Sequence, residues 1–277
     1  MNSPIGVFDS GYGGLTILEK MRKQLPGYDY VYLGDNARTP YGNRSFEVVY
    51  EFTLQAVEWL FNRNCSLVIL ACNTASTKAL RTIQQIDLPR LDPRRRVLGV
   101  VHPTVEHIGQ VTQTRHVGIL GTVGTVTSGS YPIEIKKLFP DISVESEACP
   151  MWVPLVENNE YDSPGADYFI QQHIGNILKR DSKIDTIVLA CTHYFFLKKK
   201  IRAFLPESVR LVSQGKLVAK SLKDYLQRHP EIDSNCSKNS SCRFYTTESE
   251  QKFATMASQF LKGKINVERV CIEQKLS

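Results

Sequence analysis

Two segments of the chain echo one another. Ser66-Leu-Val-Ile-Leu-Ala-Cys72-Asn-Thr74 aligns with Asp185-Thr-Ile-Val-Leu-Ala-Cys191-Thr-His193. In each, an apolar run without alternation reads as a strand buried on both faces. Each cysteine therefore stands at the carboxyl end of a strand, just before a helix. Open parallel sheets bind ligands at that edge. Backbone N–H groups at a helix N-terminus favour negative charge, which predicts a thiol more acidic than the usual value of about 8.5. Two such thiols on opposite walls of one cleft suit a reaction whose directions are mirror images. One sulfur takes a proton from one face of a carbon, and the other delivers a proton to the opposite face. A single cysteine would not carry this reading, because free cysteine is among the residues most often buried.

The residues around the pair extend the pattern. Ile5-Gly-Val-Phe-Asp9-Ser10 aligns with Val117-Gly-Ile-Leu-Gly121-Thr122 at nearly the same offset as the cysteine segments. The chain thus reads as two related halves. Asp9-Ser10-Gly11-Tyr12-Gly13-Gly14 is a glycine-rich turn, but Thr16 breaks the dinucleotide pattern and no Gly-Lys-[Ser/Thr] follows for a phosphate loop. Asp9 would repel phosphate and suits an ammonium group or the orienting of a neighbouring acid or base. The plainer expectation for the glycines is positive φ in a turn. Asn73 and Thr74 are candidate helix caps able to hold a carboxylate, with Thr192 at the matching position. Thr122, Thr125 and Thr127 can add hydrogen bonds. His193, two residues after Cys191, can support a thiolate or proton transfer. Thr39-Pro40-Tyr41-Gly42 reads as a turn. Cys65, Cys149 and Cys271 are expected in the core, and Cys236 and Cys242 read as incidental members of a polar insert. Arg94-Arg95-Arg96 and Lys198-Lys199-Lys200 read as solvated faces.

The elements that must position these groups alternate. Strands are expected at Ile5–Phe8, Tyr30–Leu33, Leu67–Ala71, Val97–Val101, Val117–Leu120, Ile142–Val144, Thr186–Ala190 and Val209–Val212. Helical spacing follows the first strand at Leu15, Leu18, Met21 and Leu25, and marks one face from Phe46 to Leu60. A helix should start near Thr74, another should end over Ile135–Phe139, and others should cover Ala166–Leu178 and Leu197–Leu205. The last stretch reads as helix-rich, interrupted by the polar insert Asp233–Cys242. Such alternation implies mainly parallel sheets flanked by helices. The fold class expected is α/β, with two similar domains related by pseudo-twofold symmetry and an active site in the cleft between them. Residues 1–99 with 212–277 form one expected domain and 100–211 the other.

Composition narrows the function. At 277 residues two domains are expected, and 42% hydrophobic with 22% charged residues is globular. The net charge of +6 permits an anionic small-molecule substrate, but it is spread along the chain and does not form a nucleic-acid footprint. No apolar run is long enough for a transmembrane helix and no secretory signal precedes Ile5, so a cytoplasmic location is expected and no membrane partner. Seven cysteines without framework spacing argue against a disulfide scaffold, and neither a CxxC pair nor HExxH is present, so no metal is expected.

Four segments carry a resemblance: Ile5-Gly-Val-Phe-Asp-Ser-Gly-Tyr-Gly-Gly-Leu-Thr16, Gly34-Asp-Asn-Ala-Arg-Thr-Pro-Tyr-Gly42, Ala71-Cys-Asn-Thr-Ala-Ser76 and Ala190-Cys-Thr-His-Tyr194. Together with Ala148-Cys-Pro-Met-Trp-Val-Pro-Leu-Val-Glu157, they resemble bacterial glutamate racemases, within the wider aspartate/glutamate racemase superfamily. The resemblance implies cofactor-independent interconversion of L- and D-glutamate, supplying D-glutamate for peptidoglycan. It implies Cys72 and Cys191 as the two proton donors and acceptors. Asp9, Ser10, Tyr41, Gly42, Asn73, Thr74, Thr192 and His193 match substrate-contacting positions. Asp9 and His193 match assistants of the first and second cysteine, and Glu157 matches a further acidic position. Glutamate is the implied ligand, and a homodimer the expected assembly. A racemase of aspartate, an inactive binding relative and a redox or metal protein are the competing readings. The chain departs from the family pattern at Phe195, where proline is usual, at Val212-Ser-Gln-Gly215, and in the 233–242 insert.

Overall fold

The computed structural model describes residues 3–261 and 265–272. Six strands form one fully parallel sheet in the order β10-β9-β2-β1-β3-β4. They are β1 (Ile5–Asp9), β2 (Tyr30–Gly34), β3 (Leu67–Leu70), β4 (Arg96–Gly99), β9 (Cys242–Thr246) and β10 (Val267–Arg269). Four more, β5 (His116–Gly121), β6 (Ser143–Ala148), β7 (Thr186–Ala190) and β8 (Arg210–Val212), form a second parallel sheet in the order β6-β5-β7-β8. The order β2-β1-β3-β4 recurs as β6-β5-β7-β8, so the sequence repeat is a repeat of topology. Its matched glycines share a packing role. A Cβ on Gly6 would lie 3.1 Å from Val68 Cγ2, and one on Gly118 would lie 3.0 Å from Ile177 Cδ1.

Both faces of each sheet are covered, as the unalternating strands require. Ile5, Val7 and Ile69 pack with Leu15 and Leu18 on one side of the larger sheet, while Phe8, Val68 and Leu70 pack with Val57 and Leu60 on the other. The smaller sheet divides likewise between Leu120, Ile187 and Leu189 on one face and Val117, Ile119 and Val188 on the other. Among the described residues no helix is long and apolar enough to cross a membrane.

Several expectations need correction. The strand expected at Val97–Val101 stops at Gly99, and Val101 opens a helix reaching Val111. The short strand expected to begin at Ile142–Val144 starts at Ser143 and runs to Ala148, at the sheet edge where polar residues are tolerated. The final stretch is not simply helical, because β9 and β10 extend the first sheet beyond β2. The polar insert is tied down. Asp29, just before β2, accepts hydrogen bonds from Ser241 N at 2.8 Å, Ser241 Oγ at 2.7 Å and Asn239 Nδ2 at 2.7 Å. Cys236 and Cys242 pack against the core beside β2 and are not incidental. Cys271 is exposed, contrary to a core position, while all seven cysteines are free. The basic runs are only partly solvated: Arg95 stacks on Phe61 at 4.6 Å and Lys200 pairs with Asp167 at 2.7 Å.

The Asp29 anchor makes a pH-dependent prediction. These donors hold the Asp29 carboxyl well below its usual range, outweighing the opposing effect of burial. Its stabilisation is therefore complete above the unfolded value of about 3.9 and is lost as pH falls toward the depressed folded value. Asp29→Ala is expected to lower unfolding free energy by about 2 kcal/mol at pH 7, with the deficit shrinking below about pH 4. Denaturant melts at pH 7 and pH 3 check this. A deficit that grows on acidification contradicts it.

Candidate active site

Each sheet reverses its winding direction between two adjacent interior strands, β1 and β3 in the first, β5 and β7 in the second. Ligands favour such switch points, beyond the carboxyl ends of the strands. Asp9-Ser10 leaves β1 and Cys72 lies two residues past β3, while Thr122 and Cys191 occupy the corresponding ends of β5 and β7. The two switch points face each other. Ser10, Tyr41, Gly42, Cys72, Asn73, Thr74, Cys191, Thr192 and His193 all line one cavity, joined by Thr39, Pro40, Thr122 and Val153.

On the first wall, Cys72 is itself the N-cap of the helix Asn73–Lys78: its sulfur accepts from Ala75 N at 3.5 Å. Ser10 Oγ lies 3.3 Å from the same sulfur. Asn73 and Thr74 are thus the first helical residues and not the caps. The expected acidity of this thiol is reversed. Burial, followed by the negative charge of Asp9, pushes Cys72 up to about 12, against the smaller opposing pull of Ser10 and the Ala75 amide. Desolvation outweighs the helix end because the thiolate would lose far more hydration than one N–H returns.

On the second wall, His193 Nδ1 lies 3.9 Å from Cys191 Sγ, and its Nε2 lies 3.2 Å from Glu157 Oε1. Thr39 Oγ1 also donates to that Glu157 oxygen at 3.2 Å. Burial disfavours the imidazolium, but Cys191 and Glu157 outweigh it and hold the His193 pKa well above its usual value. Burial raises the Glu157 carboxyl, yet His193 overcomes this and the net direction is down. The geometry is a carboxylate–imidazolium pair abutting the sulfur.

Asp9 is fully buried behind the first wall and, among the described residues, makes no hydrogen bond to Cys72. Its carboxylate accepts from Gly11 N at 3.1 Å and, across the cleft, from Thr192 Oγ1 at 3.4 Å. Burial raises its pKa above the usual carboxylate value, opposed chiefly by His193. Tyr41 donates to Asp35, and burial followed by that carboxylate holds the phenol well above 10.

The two walls are held in contact. Gly124 N donates to Gly42 O at 2.7 Å, and Thr74 Oγ1 lies 3.0 Å from Thr122 Oγ1 and 3.4 Å from Thr125 Oγ1. Thr127 is exposed, bonding to the Val123 carbonyl, and stands outside the site. The glycines of the first turn have no positive φ; they are needed for close approach. A Cβ on Gly13 would lie 2.3 Å from Thr192 Oγ1, and one on Gly14 would lie 2.5 Å from Asp9 Cβ. The free space in this cavity measures about 20 Å³, room for roughly one water.

Motif reading missed the support of Asn73. Its side chain donates to Gln214 Oε1 at 2.6 Å and accepts from Tyr131 Oη at 2.7 Å, and Gln214 also donates to Thr104 Oγ1 at 2.9 Å. Only the unusual Val212–Gly215 stretch hinted at it. Among the described residues no group of three or more His, Cys, Asp or Glu side chains is arranged to hold a metal ion.

The fold is two-domain α/β, with a cysteine on each wall of one interdomain cavity. The profile of the Asp/Glu/Hydantoin racemase family matches residues 5–222. A glutamate racemase of Shouchella clausii is 37% identical over 94% of this chain and 91% of its own length. One from Streptococcus agalactiae is 37% identical over 97% and 98%. Among solved structures, a glutamate racemase isoform from Bacillus anthracis superposes with a TM-score of 0.88 at 35% identity, covering 97% of each chain. A glutamate racemase from Francisella tularensis, in complex with D-glutamate, gives 0.87 at 30% identity over 98% of each chain. The chain belongs to the Asp/Glu/Hydantoin racemase family and, as a racemase, is an isomerase.

The close approach at Gly13 is testable. Gly13→Ala is expected to lower Tm by about 3 °C or more, because the methyl group meets Thr192. Gly27→Ala, with no atom within 4 Å of the added carbon, is expected to leave Tm unchanged. Differential scanning calorimetry compares them, and equal melting of both variants contradicts the role given to Gly13.

Proposed function

We propose that the protein interconverts L- and D-glutamate without a cofactor, by proton transfer between Cys72 and Cys191 on opposite faces of the α-carbon. The observation that carries this reading is that both sulfurs line one cavity with different partners: Ser10 and a backbone N–H for Cys72, an imidazolium for Cys191. Glutamate is favoured as substrate by the names of the relatives and by the D-glutamate complex of the Francisella relative.

A cavity of about 20 Å³ does not admit an amino acid, so the two halves part for entry and close around the substrate. Residues 1–99 with 212–277 move as one body in this reading, and 100–211 as the other. Closure then removes water and strengthens every polar contact inside. The α-carboxylate is held by Asn73, Thr74 and Thr192, and the ammonium group faces Ser10 with the Asp9 carboxylate behind it. Tyr41 and Gly42 bound the far end.

In the L-to-D direction the Cys191 thiolate removes the α-proton, and the Cys72 thiol gives its proton to the opposite face. The Cys72 sulfur is left as a thiolate and Cys191 as a thiol, so the D-to-L turnover runs the same steps backwards. The raised Cys72 value keeps that sulfur protonated in the resting protein, as a donor must be. Once ionised, a thiolate of high pKa is a strong base. His193, anchored by Glu157, supplies positive charge beside Cys191, and Asp9 positions Thr192. The α-proton is much less acidic than a thiol, and each pKa unit of mismatch costs about 1.4 kcal/mol. Charge building at the α-carbon and its carboxylate is met by the Asn73, Thr74 and Thr192 donors. By resemblance, the D-glutamate formed feeds peptidoglycan synthesis in the cytoplasm, and the working assembly is a homodimer.

Circular dichroism of pure L-glutamate, with L-aspartate as comparator and no added cofactor, tests the activity. Decay of the glutamate signal alone is expected. Cys72→Ala is expected to reduce racemisation at least about 100-fold while still binding glutamate by calorimetry. Near-normal turnover removes Cys72 from the mechanism. With a β-leaving-group analogue, Cys72→Ser and Cys191→Ser are expected to eliminate from opposite enantiomers. The same preference in both variants contradicts the two-sided arrangement.

A further inference from the structure

Two departures from the family pattern, Phe195 and the 212–215 stretch, face a single second cavity of about 260 Å³. Cys191 and Thr192 line both this cavity and the active-site cavity, so the two spaces share the Cys191 wall. Three lysines from three helices converge on it: Lys20 from Leu15–Gln24, Lys198 from Tyr194–Phe204 and Lys216 from Gly215–Arg228. No acidic residue lines it. Lys20 is paired with its neighbour Glu19, but among the described residues Lys198 meets only Ser213 Oγ, at 3.4 Å, and Lys216 is in no ion pair. A groove beside it adds Lys220 and Lys223 with Asp224, and Lys23, which is paired with Glu19. Concave surfaces lined by one sign of charge concentrate the field and attract counter-charge. Phe195, which also lines the cavity, is 44% exposed and meets Phe196 edge-on with ring centroids 6.3 Å apart.

We propose that this cavity is a binding site for a small organic anion, whose phosphate or carboxylate is held by Lys198 and Lys216 while its flat apolar body rests on Phe195. The volume suits a ligand of about ten to fifteen heavy atoms, at the small end of known ligand sites. The walls come from both halves of the chain. Lys20 and Lys216 ride on helices packed against the six-stranded sheet, whereas Phe195 and Lys198 follow β7 of the other. A bound anion therefore bridges the halves and favours the closed arrangement, which it can do only to the extent that it binds that arrangement better. This regulatory consequence rests on the racemase reading; the binding itself does not.

Isothermal titration of the full-length protein with phenyl phosphate, and with inorganic phosphate for comparison, tests the site. Saturable binding of phenyl phosphate is expected, tighter than that of inorganic phosphate. It is expected to weaken about tenfold or more in the Lys198→Gln/Lys216→Gln double variant and to fall toward the inorganic phosphate value in Phe195→Ala. Both variants are expected to keep the wild-type melting curve and the basal racemisation rate. Equal affinity in wild type and double variant, displacement of phenyl phosphate by glutamate, or no heat at millimolar ligand each overturns the proposal. Absence of turnover in the wild type, with the binding pattern intact, overturns the racemase reading and leaves the site standing.

Discussion

The cleft depends on two backbone segments coming closer to the opposite wall than any side chain would permit. Gly13 lies against Thr192, and Gly42 lies against Thr122. These contacts close the space between the two switch points and leave both sulfurs in a cavity with almost no free volume. Burial then sets the electrostatics. It lifts Cys72 and Asp9, and it makes the His193–Glu157 pair strong enough to keep an imidazolium where desolvation alone would remove the proton. A looser cleft would bring water back and weaken each of these effects.

The two halves share a topology but treat their cysteines differently. Cys72 has neutral partners and a carboxylate nearby, so it is held as a thiol. Cys191 has a cationic partner that is itself anchored. The two sulfurs therefore sit in different electrostatic surroundings. Asp9 ties the halves together in a second way, because its acceptor oxygens serve its own turn and Thr192 of the other wall. The repeat supplied two similar strand ends, and divergence at positions 9, 157 and 193 made them unequal.

The strand ends that line the cavity were legible because β1, β3, β5 and β7 are interior strands rich in apolar residues. The two C-terminal strands were not. Cys242–Thr246 and Val267–Arg269 are short and carry charged residues; the first pairs with β2 and the second with the first, a tertiary fact invisible to local pattern. The Cys72 pKa failed for a related reason. A helix start can be read from residue order, whereas complete burial of the sulfur depends on the opposite half. The turn glycines were correctly singled out, but their reason lies across the cleft in Thr192 and not in their own φ angles. Cys271 shows the converse error: a cysteine within an apolar-looking tail was assigned to a core that does not reach it.

The central claim is that two different sulfurs serve the two faces of one carbon. Racemisation of unlabelled L-glutamate in deuterium oxide, sampled at early conversion, tests it most directly. If one sulfur removes the proton and another delivers a solvent-derived one, the D-glutamate formed carries deuterium at the α-carbon while the remaining L-glutamate stays unlabelled. Retention of the original hydrogen in the product, or labelling of L-glutamate as fast as product forms, would mean that a single base serves both faces and would contradict the account.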